Sequence, residues 1–315
     1  MLWAAPGTGK TLLVLTMALA VAGGGNFLGW TAPKPRKVLL VDGEMAVEDL
    51  QERLEMLAQT VAGYDPAQGK KNLTIYSRTL QKPEAGFPDL GEREGQGVEP
   101  AGQDDIMAKA RECGAELILL DNFSTLAEVS DENDAAAMSP TLAFLMRLKQ
   151  ARIGCVLVHH SGKGKNATTY RGSSKLATTF EVIIGLGELQ GHDPTDGAGF
   201  NLFFEKYRRR RSEATRDRSV RLMGTGAASE WIGEISETDD MGRLLAAVQT
   251  CQYATQKALA AHMKETFGPN WQESRVTTLK GRLIASGRCT SADWATYLST
   301  AREAQEEADG KPAAF

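Results

Sequence analysis

A glycine-rich turn close to the start of the sequence carries the residue types that bind phosphate. Residues 4–11 read Ala-Ala-Pro-Gly-Thr-Gly-Lys-Thr and fit the pattern G-x-x-x-x-G-K-[ST], with Ala4 in place of the first glycine. The two glycines permit positive φ angles, so backbone N–H groups can curl around phosphate oxygens. Lys10 can then reach the β- and γ-phosphates, and the Thr11 hydroxyl can ligate Mg²⁺. The residues expected to hold the nucleotide are Pro6, Gly7, Thr8, Gly9, Lys10 and Thr11.

Two other interpretations of this segment stay open at the level of sequence. The first is a plain glycine turn that precedes a core helix. The second is a secretory signal, because Lys10 is followed by the uncharged run 11–25 with Ala20-Val21-Ala22 inside it. Under the phosphate-loop interpretation, the same run is a buried helix whose N-terminus faces the anion.

Two acids follow apolar runs that are typical of buried strands. Asp121 ends the run 117–120, as a Walker-B acid does, and is expected to bind the nucleotide's Mg²⁺ directly or through water. Many P-loop ATPases place a glutamate immediately after that aspartate to activate water, but the next residue here is Asn122. Glu44, which follows the run 38–41, is therefore the candidate base. The alternatives are a strand-end turn acid for Asp121 and a helix N-terminal acid for Glu44.

A pair of histidines ends a third apolar run, at 153–158. Side chains of adjacent strand residues point to opposite faces of a sheet, so His159 and His160 are poorly placed to chelate one ion. The four cysteines are far apart and have no metal-ligand spacing. We therefore expect no metal site at the histidines, and His160 is a candidate sensor of the γ-phosphate.

A basic run lies between Lys206 and Arg218. It is either a solvated charged loop, a surface that contacts nucleic-acid phosphates, or a hairpin that presents Lys206 and Arg208 to the nucleotide of a neighbouring subunit. The sequence pattern by itself leaves all three open.

Buried runs alternate with helical patterns over most of the chain. This alternation predicts an α/β fold with a mainly parallel sheet, helices on both faces and functional groups at the carboxyl ends of the strands. The expected strands are 38–41, 73–76, 117–120, 153–158, 182–186 and 201–204. Residues 47–61 and 134–152 suit helices, and 81–103 reads as a mobile surface loop. Only three residues precede Ala4, so the strand before the phosphate loop is expected to be truncated.

The C-terminal segment changes to short helical patterns after the run Glu237-Thr238-Asp239-Asp240. We expect residues 1–235 to form the core and 236–315 to form a winged helix-turn-helix domain with a frayed tail. The third predicted helix, 274–286, carries basic residues that could contact DNA; the alternative is a helical dimerisation lid.

Composition excludes several protein classes. With 42% hydrophobic residues, the 315-residue chain is neither wholly disordered nor fibrous, and it can bury a core without disulfides. The net charge of -4 excludes a chain that is basic throughout, so any nucleic-acid surface must be local. No uncharged apolar run reaches the ~18–20 residues of a membrane span, and the thiols favour a cytoplasmic protein.

With these residues placed, the chain resembles the RecA/DnaB/KaiC-type ATPases, and most closely the plasmid RepA-type helicase branch. The resemblance covers residues 1 to about 235 and rests on the phosphate loop, Val41-Asp42-Gly43-Glu44, Leu119-Leu120-Asp121-Asn122, His159-His160-Ser161-Gly162-Lys163 and Arg171-Gly172-Ser173-Ser174.

The resemblance implies a role for each matching residue. Glu44 would be the catalytic glutamate, Asp121 the Walker-B acid and His160 the γ-phosphate sensor. Lys206 and Arg208 would form a Lys-x-Arg finger acting across a subunit interface.

At the level of function, the resemblance implies a Mg-ATP-dependent, hexameric DNA helicase that moves along single-stranded DNA in replication of a plasmid, phage or other mobile element. One rival is a non-translocating RecA/KaiC-like regulatory ATPase. Another is a DNA-binding regulator whose pocket binds nucleotide but barely hydrolyses it.

Overall fold

The computed structural model describes most of the chain. The described residues are 1–81, 101–127, 138–161, 174–189, 191–193, 195, 197–210, 212–224, 226–235, 240–267, 271–285 and 287–308. They form two compact units, Met1–Ile235 and Ser236–Phe315, which are described separately.

The first unit contains eleven described strands and seven described helices. The strands are β1 (Leu2–Ala4), β2 (Gly25–Phe27), β3 (Trp30–Ala32), β4 (Val38–Asp42), β5 (Leu73–Ser77), β6 (Leu117–Asp121), β7 (Gly154–His160), β8 (Val182–Glu188), β9 (Gly199–Tyr207), β10 (Arg218–Met223) and β11 (Glu230–Ile235). The helices are α1 (Lys10–Gly23), α2 (Val47–Ala58), α3 (Pro66–Asn72), α4 (Ala101–Cys113), α5 (Phe123–Leu126), α6 (Ser139–Gln150) and α7 (Ser174–Thr179).

Nine of the strands form one sheet in the order β11-β10-β9-β8-β1-β7-β6-β4-β5. The six strands from β8 to β5 in this order are parallel, and β9, β10 and β11 add to β8 as antiparallel strands. The predicted α/β class with a mainly parallel sheet is therefore confirmed. Strand β1 has only three residues, yet it pairs on both sides and lies between β7 and β8.

Alternating side chains divide the core of this unit between the two faces of the sheet. Leu40 and Leu119 face a core shared with α1 and α2, whereas Leu39 and Leu120 face a core shared with α4, α5 and α6. This two-sided burial explains why the parallel strands read as unbroken apolar runs. The apolar run after Lys10 is explained in the same way, because most of α1 is buried between the sheet and its neighbouring helices.

Helix α4 is the main element of this unit that sequence reasoning did not predict. Residues 101–103, expected to belong to a loop, begin this helix, while 82–100 lie outside the described residues. Helix α4 packs on the sheet through the buried residues Ile106, Met107 and Ala110. These few apolar residues stand among charged ones and follow a stretch rich in Pro and Gly, so the helical pattern in the sequence is weak. Helix α6 begins at Ser139 instead of 134, and 128–137 also lie outside the described residues.

The second unit is helical in its described residues. Its helices are α8 (Asp240–Gln249), α9 (Gln256–Phe267), α10 (Glu273–Ala285) and α11 (Ser291–Ala308). They pack around a core that contains Leu244, Met263, Trp271, Leu283 and Trp294.

The winged helix-turn-helix character of the second unit stays a prediction. Among the described residues of this unit, helix α11 follows α10. Thr290 and Asp293 cap its start reciprocally: the Thr290 N–H donates to the Asp293 carboxylate at 2.9 Å, and the Asp293 N–H donates to the Thr290 hydroxyl at 3.0 Å. Trp294 and Ala301 then bury one face of the helix. Among the described residues of the whole chain, no helix combines the length and apolar character that a bilayer crossing needs.

A buried hydrogen bond joins β11 to α1, and it offers a test of this packing. The Trp231 indole N–H donates to the Thr16 hydroxyl at 2.9 Å, and both residues are buried. We expect Thr16→Val to lower the free energy of unfolding by about 1–3 kcal/mol, because the indole N–H loses its acceptor in a dry environment. Urea denaturation measures the loss, and Thr16→Ser, which keeps the hydroxyl, is the control. Equal stability of the Val and Ser variants would contradict this role of the bond.

Candidate active site

The phosphate loop connects the end of β1 to the start of α1. Gly7 and Gly9 have φ angles of 77° and 102°, in the region that favours glycine. A Cβ at Gly9 would lie 2.9 Å from the Ala198 Cβ, whereas a Cβ at Gly7 would meet nothing within 4 Å. The loop thus has the predicted glycine geometry, with open space at Gly7 and a tight fit at Gly9.

Lys10 is buried inside the loop that it is expected to serve. Its ammonium donates to the backbone oxygens of Ala5 at 2.7 Å and Ala4 at 3.1 Å. Burial lowers the pKa of Lys10 to about 8, although the nearby carboxylates of Asp121 and Glu44 oppose this shift. The first N–H groups of α1 also lack intrahelical acceptors, so the loop presents backbone donors and a cation together.

The order of the parallel strands places the predicted polar residues along one edge of the sheet. Because β7 lies between β1 and β6, His160 stands beside Ala4 at the root of the loop, and Asp121 follows on the next strand. Strand β4 comes after β6 and is followed directly by Glu44. Residues far apart in sequence therefore line one cavity of about 710 Å³, together with Pro6, Gly7, Gly9, Lys10, Thr11 and Asn122.

Asp121 is buried, and its carboxylate accepts a hydrogen bond from the Thr11 hydroxyl. Burial raises the pKa of Asp121 to about 6, with hydrogen bonding to Thr11 opposing the shift. Its Oδ2 atom is also buried and makes no hydrogen bond within the part of the chain that the structure describes. A carboxylate oxygen with unused lone pairs beside a threonine hydroxyl fits the oxygen ligands that Mg²⁺ prefers. Thr11 and Asp121 are thus suited to hold the ion that accompanies a nucleotide.

Glu44 lies on a turn that Asp42 holds in place. The buried Asp42 carboxylate accepts from the backbone N–H of Met45 at 3.0 Å and from that of Glu44. Burial raises the pKa of Asp42, and these hydrogen bonds oppose the increase. Gly43 lies so close to α5 that a Cβ there would be 2.4 Å from the Thr125 hydroxyl oxygen.

Asn122 contacts the Glu44 side chain directly. Its amide nitrogen donates to Glu44 Oε2 at 2.6 Å, and Asn122 is buried whereas Glu44 is exposed. Sequence reasoning noted Asn122 only as the place where a glutamate was missing. The strand-end position was the one available signal for its role.

The two histidines point to different sides of the sheet, as the strand pattern predicts. His160 lines the cavity, whereas His159 is fully buried with its ring 5.0 Å from that of Phe123. The described residues contain no cluster of three or more His, Cys, Asp or Glu side chains that could hold a metal ion. The neighbouring Gly162-Lys163 and the segment Arg171-Gly172-Ser173 lie outside the described residues.

Lys206 and Arg208 are not brought to this cavity within one chain. Strand β8 links the two positions. Ala4 pairs with Leu186 near the end of β8, whereas the Arg208 N–H donates to the backbone oxygen of Glu181, which precedes β8 and lies five residues before Leu186. At about 3.3 Å per strand residue, the two positions are separated by ~17 Å along the strand direction. Arg208 donates to Thr178 O at 3.0 Å and contacts Glu181 at 3.4 Å. Neither basic residue is therefore placed to act on a nucleotide in the same chain.

One wall of the cavity comes from α2 and was missed by sequence reasoning. The lining residues of this helix share one face, at spacing i, i+3, i+4 and i+7. They are Asp49, Glu52, Arg53 and Met56. In the sequence, these charged residues look like the ordinary solvent-exposed face of a helix. They match no motif, so sequence reasoning did not identify them.

Comparison with known proteins identifies the type of domain. A family model described as an AAA domain matches residues 1–166, which is more than half of the chain and includes the phosphate loop, Glu44, Asp121 and His160. No curated protein matches the chain significantly.

The pKa of Lys10 predicts how nucleotide affinity depends on pH. The ammonium form binds the triphosphate, and in the free protein this form prevails below about pH 8 and is lost above it. We therefore expect the affinity for ATP to fall by about tenfold between pH 7 and pH 9. Titration of a fluorescent ATP analogue measures it, with Lys10→Met as a weaker but pH-independent control. The same slope in both proteins would contradict the assignment.

Proposed function

This chain belongs to the AAA domain family of P-loop ATPases, and from that premise we propose that it is an ATP-driven DNA helicase of the RepA type. The observation that carries the catalytic part is the convergence of Lys10, Asp121 and Glu44 in one cavity. The helicase part is supported by the sequence resemblance of the core and by the basic residues of the β9–β10 hairpin.

In the proposed reaction, Glu44 orients a water molecule toward the γ-phosphorus of ATP and accepts its proton. The new oxygen–phosphorus bond forms as the bond between the γ-phosphorus and the β–γ bridging oxygen breaks, which releases ADP and phosphate. Lys10 and the loop amides would stabilise the charge on the phosphate oxygens, and His160, which lines the same cavity, would respond to the γ-phosphate. A bound Mg²⁺, held by Thr11 and Asp121, would supply further charge neutralisation.

The site is proposed to be completed by a neighbouring subunit. Lys206 and Arg208 lie on the edge of the sheet opposite the phosphate loop, so they can serve a nucleotide only in another copy of the chain. A head-to-tail contact of this kind closes into a ring when its rotation permits. We propose a hexameric ring with ATP between subunits and single-stranded DNA as its track.

Replacement of the proposed base tests the reaction and the motor together. We expect Glu44→Gln to retain ATP binding but lose at least about a hundredfold in kcat, because the water loses its proton acceptor. The native protein should hydrolyse ATP faster with single-stranded DNA and unwind a forked duplex, whereas Glu44→Gln should do neither. The control is Glu48→Gln, an acid on α2 that does not line the cavity.

The outcomes separate the proposed helicase from a regulatory ATPase. Turnover without unwinding would favour a non-translocating regulator that shares every residue of this site. Full turnover by Glu44→Gln would overturn the assignment of the base. Nucleotide binding with negligible turnover by the native protein would favour a DNA-binding regulator.

Mixing of two inactive variants tests the action of Arg208 across subunits. Arg208→Ala subunits keep an intact phosphate loop, and Lys10→Ala subunits keep an intact Arg208. Each is expected to be nearly inactive alone, but an equal mixture should regain activity at about one interface in four. Arg209→Ala, which changes the adjacent exposed arginine, should retain turnover. If no mixture of the first two variants regains ATPase activity, Arg208 does not act in this way.

A further inference from the structure

We propose that Asn122 is a positioning residue for Glu44, holding its carboxylate over the cavity and tying it to helix α5. This inference rests on the proposed function, in which Glu44 orients the attacking water. Asn122 also lines the cavity, but in this proposal it acts on the reaction through the base.

The contact between the two side chains is short and joins a fixed group to a mobile one. Asn122 Nδ2 donates to Glu44 Oε2 at 2.6 Å. Asn122 is 3% exposed, whereas Glu44 lies on an exposed turn, where a glutamate side chain has several rotamers to choose from. The buried amide therefore selects one of these orientations. The Glu44 side chain then loses less conformational entropy when it takes up the orientation that the reaction needs.

The orientation of the amide is set from its other end. Asn122 Oδ1 accepts from the backbone N–H of Thr125 at 3.3 Å, and so caps the N-terminus of α5. The Thr125 hydroxyl also donates to the Asn122 backbone oxygen at 3.0 Å. If the amide flipped, its oxygen would face the Glu44 carboxylate and its NH₂ would face the Thr125 N–H, so both contacts would become repulsive. The network leaves one arrangement, with the donor toward the base.

The contact occupies only one oxygen of the carboxylate. Glu44 Oε1 makes no hydrogen bond within the described part of the chain, so its lone pairs stay available to a water molecule. The backbone of Glu44 is already held by the Asp42 carboxylate. What remains to be fixed is the side chain, and Asn122 is the described residue that hydrogen-bonds to it.

Helix α5 is linked to the base through the same residue. Asn122 is both the cap of α5 and the donor to Glu44, while Thr125 of α5 packs closely against Gly43. A shift of α5 would therefore move the anchor of Glu44.

The test uses Asn122→Ser, because serine is also a good helix N-cap but is too short to reach Glu44. We expect kcat for ATP to fall by about 10- to 100-fold, a part of the full contribution of a general base, while KM for ATP changes by less than about threefold. A second variant, Asn122→Asp, keeps the shape and the cap but replaces the donor with a carboxylate. It should lower kcat at least as far.

A double mutant separates positioning from a merely structural role. In a Glu44→Gln background, Asn122→Ser should cause no further loss of the residual rate, because its effect passes through the missing carboxylate. The matched control is Asn72→Ser, which removes another buried amide donor. The Asn72 amide donates to Ala22 O at a distance of 2.9 Å, and Asn72 does not line the cavity. This control should leave kcat unchanged even if it lowers the melting temperature.

Each result decides a different claim. Native kcat in both Asn122 variants, or equal losses with and without Glu44, would overturn the positioning role and leave the proposed base intact. Full turnover by Glu44→Gln would overturn both the base and its anchor. Loss of kcat only where Glu44 is present, with unchanged KM, would support the inference.

Discussion

The site depends on keeping a cation and a carboxylate buried together before any nucleotide arrives. Lys10 and Asp121 are each less than 10% exposed, and burial shifts the pKa of Lys10 down to about 8 and that of Asp121 up to about 6. Each charge partly offsets the cost of burying the other. Both also retain capacity for a ligand. Lys10 donates to two carbonyl oxygens of its own loop although an ammonium has three donors, and Asp121 Oδ2 makes no hydrogen bond among the described residues. A bound phosphate and its metal ion would offset the desolvation cost of both charges. The burial that destabilises the charged forms of Lys10 and Asp121 in the empty site therefore favours binding of these ligands.

Sheet order brings further polar residues to the cavity that Lys10 and Asp121 line. The strand between β1 and β6 sets His160 between the loop and Asp121, and the strand beyond β6 brings in Glu44. None of these residues is adjacent in sequence, but parallel pairing in register brings their strand ends to one edge. Conversely, the antiparallel addition of β9 sends Lys206 and Arg208 to the other edge. The topology alone therefore gives a single chain two unlike edges, one with the phosphate loop, Asp121 and Glu44 and the other with Lys206 and Arg208.

Much of this arrangement could be predicted from sequence, because strong local signals mark it. The phosphate loop has fixed spacing, and Asp121 and Glu44 follow apolar runs that only buried strands explain. The role of Asn122 could not be predicted in this way, since one amide has no motif and its meaning depends on which strands are neighbours. The same holds for Arg53, whose place on the cavity wall follows from how α2 packs. In the second unit, Thr290 and Asp293 carry a helix-start signal that sequence reasoning did not use.

In this chain the amide of Asn122 follows Asp121 on β6, and the acid Glu44 follows the neighbouring strand β4. This arrangement has an electrostatic reason. Asp42 and Asp121 are already two buried carboxylates in register on adjacent strands, and burial raises the pKa of both. A glutamate at position 122 would add a third carboxylate at a place that is 3% exposed, next to Asp121, with a large desolvation cost. An amide there adds no charge, caps α5 and donates to an acid that is carried instead on an exposed turn of the next strand. Placing the acid on β4 thus supplies the cavity with a carboxylate that stays hydrated, and it makes the buried amide necessary to direct that carboxylate.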